Sequence, residues 1–204
     1  MFRAAVLATF LLFIPTSAEA EGAFSEGKWR LELSAHSGLD VGNIDRSGDL
    51  MALTTVEYEI PLSGHVTAGL KLHPVFTYEQ DELDVDDLFD ADLVDAVRKL
   101  EFDFSRDAEG DSVWGAGVGA GVRIYQVKTE HRGLFLDLGV SALFHEGQLN
   151  RDSSNIDFMS GVGVGYQFNF GLNAKLSFSH VSNAGLGEEN AGSNLVGLGI
   201  GFRF

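Results

Sequence analysis

Cysteine is absent from the 204 residues, proline occurs 3 times, and 14 basic residues face 30 acidic ones. Without a thiol there is no disulfide frame, no zinc–thiolate site and no cysteine nucleophile. The formal net charge of −16 argues against nucleic acid as a partner, because phosphate is met by a basic face. Beyond the first twenty residues no segment offers the ~20 consecutive apolar residues of a spanning helix. Glycine is in excess, at 25 residues, above the roughly 7% of average proteins and without the collagen period. An apolar fraction of 45% argues against a disordered chain. The length allows one domain or a small pair.

The first twenty residues stand apart. Arg3 is the one early charge, Ala4 to Ile14 is apolar apart from Thr9, and Pro15 breaks the run. Ala18-Glu19-Ala20 supplies the small residues that a signal peptidase accepts. Residues 1–20 are therefore expected to be an export signal, with cleavage after Ala20. An uncleaved anchor is the weaker alternative, because the run is too short to span. Residues 21–204 then form a single domain.

In that domain the dominant period is two. Trp29, Leu31, Leu33 and Ala35 alternate with Arg30, Glu32, Ser34 and His36. The same alternation runs through 54–60, 66–72, 114–124, 134–142, 158–168, 172–178 and 196–204. That makes eight strands, each with one apolar face. Many residues opposite those faces are Gly, Ser, Asn or Gln. Such residues make a poor solvent coat, but they fill the narrow interior of an eight-stranded barrel. The expected fold is all-β: an eight-stranded antiparallel transmembrane barrel of the bacterial outer membrane, its bulky faces toward lipid. Phe204 ends one such face, as a terminal aromatic does in outer-membrane barrels. A secreted β-sandwich binding module is the soluble alternative.

Loop lengths agree in phase. Short connections (61–64, 126–133, 170–171) follow even-numbered strands, and longer ones (37–49, 79–112, 145–156, 183–192) follow odd-numbered strands. Short turns belong to the periplasm and long loops to the cell exterior. The 79–112 loop holds fourteen Asp or Glu against three Lys or Arg. It reads first as a solvated acidic loop, and second as a recruiter of divalent cations that bridge to anionic lipopolysaccharide. Asp84, Asp86 and Asp87 lack the EF-hand spacing, and the apolar spacing of 86–100 allows a short amphipathic helix. The run Gly115–Gly121 has no Lys-Ser/Thr ending, so it reads as inward glycines rather than a phosphate loop. No pair of the six histidines has the His-x-x-x-His spacing of a helical zinc site. Neither a metal nor an organic cofactor is expected.

One cluster interrupts the lipid-facing side. After Leu172, Ala174, Leu176 and Phe178, the same face continues with His180 and Ser182. On the last strand, one step before Val196, is Asn194, which a hairpin would bring beside them. Residues two apart on a strand share a face at ~6.5–7 Å, within reach of an imidazole–hydroxyl contact. A serine hydroxyl becomes a nucleophile when an adjacent histidine takes its proton, and a third group fixes the imidazole tautomer. The structural alternative is that these polar residues mark where the strand leaves the membrane.

The wider block, His180-Val-Ser-Asn-Ala-Gly-Leu-Gly-Glu-Glu-Asn-Ala-Gly192 followed by a last strand, resembles the PagL-type lipid A 3-O-deacylases. Leu70 to Gln80 and the export signal extend the likeness more loosely. That family consists of eight-stranded outer-membrane barrels that hydrolyse an ester-linked acyl chain of lipid A on their lipid-facing wall. The resemblance implies His180 as base and Ser182 as nucleophile. It assigns Asn183, the Gly185 backbone and Asn190 to the oxyanion side, and lipid A or lipopolysaccharide as substrate. The family's acidic triad member stands twelve residues after the serine, where this chain has Asn194. An amide orients an imidazole with less electrostatic support, and Glu188 or Glu189 is the alternative. The acidic loop lies outside the residues that carry the resemblance. A catalytically silent barrel with a structural or surface-binding role is the rival reading, and pairing into a homodimer is left open.

Overall fold

The computed structural model describes residues 26–40, 48–80, 112–128, 130–147, 149, 154–186 and 192–204. The export signal, the 86–100 segment, Glu188, Glu189 and Asn190 lie outside them. Eight strands follow in chain order: β1 (Lys28–Leu39), β2 (Leu50–Pro61), β3 (Val66–Glu79), β4 (Ser112–Val127), β5 (Arg132–Glu146), β6 (Ile156–Gln167), β7 (Leu172–Ser182) and β8 (Ser193–Arg203). Each pairs antiparallel with its neighbours, and β8 returns to β1, so the sheet is a closed barrel. Closure leaves no strand edge unpaired, which is what crossing a bilayer demands. At the seam Phe204 and Trp29 exchange backbone hydrogen bonds of 2.9 and 3.1 Å, tying the terminal aromatic into the wall.

The alternation sorts side chains as expected. Leu31, Leu33, Leu70, Leu134, Leu198 and Ile200 are exposed on the outside, the lipid side of such a barrel. Inside, glycines make room for larger neighbours. A Cβ at Gly69 would overlap Glu57, and one at Gly197 would overlap His36.

The interior is more highly charged than a filling of small polar residues. Arg30 reaches Glu59 at 2.8 Å, Gln167 at 2.9 Å and the Tyr125 hydroxyl at 2.9 Å. Tyr125 in turn donates to Glu59. Arg123 lies 3.2 Å from both Glu57 and Glu59 and 3.3 Å from Asp137. Lys175 bridges Glu32 at 2.6 Å and Asp137 at 3.0 Å. Opposite charges at this range, with several hydrogen bonds each, offset the cost of taking them out of water. A cavity of about 60 Å³ lies among Glu32, His36, Asp137 and Lys175.

Toward the long-loop end the interior turns apolar, where Met51, Leu53, Phe76, Tyr78, Val113, Leu143, Leu149, Val181 and Leu195 form one buried cluster. β3 reaches this layer through a bulge. Its register shifts between His73 and Phe76 on the β4 side, with Pro74 and Val75 both exposed. Two successive outward residues change the phase, and Phe76 and Tyr78 therefore turn inward.

Candidate active site

The cluster stands on the outer wall, backed by that apolar layer. Val181 and Leu195 are each 0% exposed, and burying them fixes which face of β7 and β8 looks out. Their strand neighbours must point the other way, and these are His180 and Ser182 on β7 and Asn194 on β8. The start of β8 is held from inside as well. The Tyr78 hydroxyl donates to Asp49 at 2.6 Å and lies 2.9 Å from the Ser193 hydroxyl.

Across β7 and β8, His180 is directly paired with Asn194. Its Nδ1 lies 3.0 Å from Asn194 Oδ1. An amide oxygen only accepts, so Nδ1 carries the hydrogen and donates it. The lone pair is then on Nε2, the nitrogen free to take a proton. Ser182 lies one step further out on the same face, and no hydrogen bond joins it to the imidazole in this structure. Catalytic contacts of this kind often tighten only when substrate is bound.

Gly192 completes the surroundings of the His180 imidazole. One further step of the β7–β8 register, beyond Val181 and Ser193, sets Gly192 across from Ser182. A Cβ there would stand 3.1 Å from His180 Cε1 and 3.6 Å from Nε2. Gly192 also has φ +60°, which favours glycine. The side chain missing at 192 leaves space beside Cε1 and Nε2 of His180, at the strand position across from Ser182.

The residues after Ser182 fold back at once. Ala184 and Gly185 have φ of 54° and 82°, and Leu186 N donates to the Asn183 carbonyl at 3.1 Å. Two successive left-handed residues are the mark of a type I′ turn. Asn183 is fully buried, and its Oδ1 accepts from Gly185 N at 2.7 Å. Two groups that the resemblance gives to the oxyanion side are thus bonded to each other. Among the described residues no three His, Asp or Glu side chains converge to hold a metal ion.

One polar residue escaped the sequence reading. Ser160 of β6 is paired with His180 from the other side. It is exposed, between Phe158 and Val162 on the outer face. Ser160, His180 and Asn194 therefore form one row across three strands, with Ser182 above it. The available signal is that, among the outward residues Phe158, Ser160, Val162, Val164 and Tyr166 of β6, only Ser160 is neither aliphatic nor aromatic.

The family model for lipid A 3-O-deacylase (PagL) matches residues 89–203, more than half of the chain. No curated protein matches. Among solved structures, the outer membrane enzyme PagL superposes with a TM-score of 0.58 at 12% identity, covering 85% of this chain and 98% of that one. The outer membrane protein Ail of Yersinia pestis, in a phospholipid bilayer nanodisc, has a TM-score of 0.45 at 12% identity over 88% of this chain and 100% of its own. OprG from Pseudomonas aeruginosa has 0.43 at 10% over 87% and 95%. The barrel and the family match place the protein in the bacterial outer membrane. The chain belongs to the lipid A 3-O-deacylase (PagL) family.

Proposed function

We propose that the protein hydrolyses an ester-linked, 3-O acyl chain of lipid A, with Ser182 as nucleophile and His180 as base. The carrying observation is the 3.0 Å contact from His180 Nδ1 to Asn194 Oδ1 on the lipid-facing wall. It selects the tautomer with a basic Nε2, on the outer face that also carries Ser182. Ser182 gives its proton to Nε2 as its oxygen attacks the ester carbonyl. The same proton then passes to the departing sugar oxygen, and water releases the fatty acid from the acyl-enzyme.

The location supports the substrate class. Below His180 the wall is apolar, with Phe178 flanked by its strand partners Val162 and Val196. An acyl chain already in the outer leaflet can lie along this wall with its ester at the height of Ser182. The fatty acid never has to enter the barrel, whose outer end is filled by the buried apolar cluster. Export by a signal over residues 1–20 would bring the chain to this membrane. For Asn183 and Gly185 to serve the oxyanion, their mutual hydrogen bond must open on substrate binding, and Asn190 is the third donor of that set.

Ser182→Ala and His180→Ala, refolded in detergent and supplied with lipid A, test the assignment. Each should lower acyl release by several orders of magnitude, because such groups act as a unit, while the barrel stays folded. Wild-type turnover in Ser182→Ala would remove the mechanism.

A further inference from the structure

The developing negative charge on the ester oxygen needs hydrogen-bond donors in place before the reaction. In the described part of the site the expected donors are engaged: Gly185 N donates to Asn183 Oδ1, and Asn183 itself is buried on the inner side of the wall. Asn194 lies on the far side of His180, holding Nδ1 through its oxygen. Ser160 is differently placed. It faces outward, opposite His180, and its hydroxyl has no hydrogen-bond partner among the described residues.

We propose that Ser160 is a catalytic residue whose hydroxyl donates a hydrogen bond to the oxyanion formed when Ser182 attacks; the proposal rests on Ser182 being the nucleophile. Phe158 is the direct strand partner of Ser182, so Ser160 is its diagonal neighbour. Diagonal residues have α-carbons ~7–8 Å apart and side chains closer. A tetrahedral carbon bonded to one serine oxygen, with its oxyanion accepting from the other, bridges two hydroxyls at that separation. The electron pair of the carbonyl π bond moves onto this oxygen as the Ser182 Oγ–C bond forms, and His180 Nε2 holds the serine proton. Collapse returns the pair, breaks the bond to the sugar oxygen and delivers the proton to it. Ser160 exchanges no proton in either direction. Its position in an apolar wall strengthens the interaction, because lipid and substrate exclude competing water.

The test compares Ser160→Ala and Ser160→Thr with wild type, all refolded in the same detergent and checked for the folded barrel by heat-modifiable gel mobility. Kinetics use lipid A in micelles, and an alkyl fluorophosphonate labels the nucleophile for peptide mapping. Ser160→Ala should lose about 10²-fold in kcat with KM little changed, the scale for removing one oxyanion donor. Ser160→Thr, which keeps a hydroxyl, should recover most of that loss. Phosphonylation of Ser182 should slow in parallel in Ser160→Ala, since the adduct carries a comparable anionic oxygen. Unchanged kcat in Ser160→Ala, a change confined to KM, or equal losses in both variants would each overturn the role, with Ser182 still labelled. Label on Ser160 instead of Ser182 would refute the nucleophile assignment itself, and this role with it.

Discussion

Gly192→Ala puts the geometry around the His180 imidazole under the most direct strain. The new Cβ would stand 3.1 Å from His180 Cε1, whereas carbon pairs are most comfortable at about 3.5–4.0 Å. The imidazole must therefore retreat from residue 192 by several tenths of an ångström, which shifts Nε2 relative to Ser182. A misplacement of about 1 Å costs on the order of 10²-fold in rate, so a retreat of half that should cost about tenfold in kcat. KM should hold, because the apolar wall proposed to carry the acyl chain, around Phe178, Val162 and Val196, lies lower. The left-handed backbone adds roughly 1–2 kcal/mol of strain, which a folded barrel can absorb. Gly147→Ala separates strain from displacement. Its φ is +96° and its Cβ would meet only Val113, at an ordinary 3.6 Å, so it should lose stability without losing turnover. The assay is initial-rate fatty acid release from lipid A micelles, with urea unfolding of both variants in bilayers. Wild-type kcat in Gly192→Ala, or an equal loss in Gly147→Ala, would refute the steric argument.

Two further outcomes follow from named contacts. Asn194→Ala removes the acceptor that holds His180 Nδ1 and should lower kcat tenfold or more, whereas Asn194→Glu should preserve or raise it by stabilising the imidazolium; full activity in Asn194→Ala, with losses in Glu188→Gln or Glu189→Gln, would move the orienting role to the loop. Asp137→Asn leaves Lys71, Arg123 and Lys175 without their shared carboxylate and should destabilise the barrel by about 3–5 kcal/mol, read from urea titration of tryptophan fluorescence, with acyl release per folded molecule unchanged.

The wall was legible in the sequence because period-two alternation encodes it residue by residue. Leu31 against Glu32 and Leu198 against Gly199 declare the two faces without further context. Pro74 and Val75 broke that code. Two outward residues in succession hid the return of Phe76 and Tyr78 to the core, along with the Tyr78–Ser193 contact that holds the start of β8. The charged interior was hidden for another reason. Arg123 on β4 meets Glu57 and Glu59 on β2, strands that are not neighbours, and periodicity says nothing about which strands face each other across a barrel. Adjacent strands joined by one hairpin are easier, and so Asn194 could be set beside His180 from the chain alone. Ser160 needed the β6–β7 register as well, because a lone serine among apolar residues shows its meaning only once its partner is known.

The mass spectrum of lipid A, from otherwise identical cells with and without this protein, tests the central claim. Expression should shift lipid A down by the mass of one hydroxyacyl chain, with the sugar backbone and phosphates retained, and Ser182→Ala should abolish the shift. An unchanged spectrum from cells whose outer membrane holds the folded wild-type barrel would contradict the account and leave a barrel without lipid A deacylase activity.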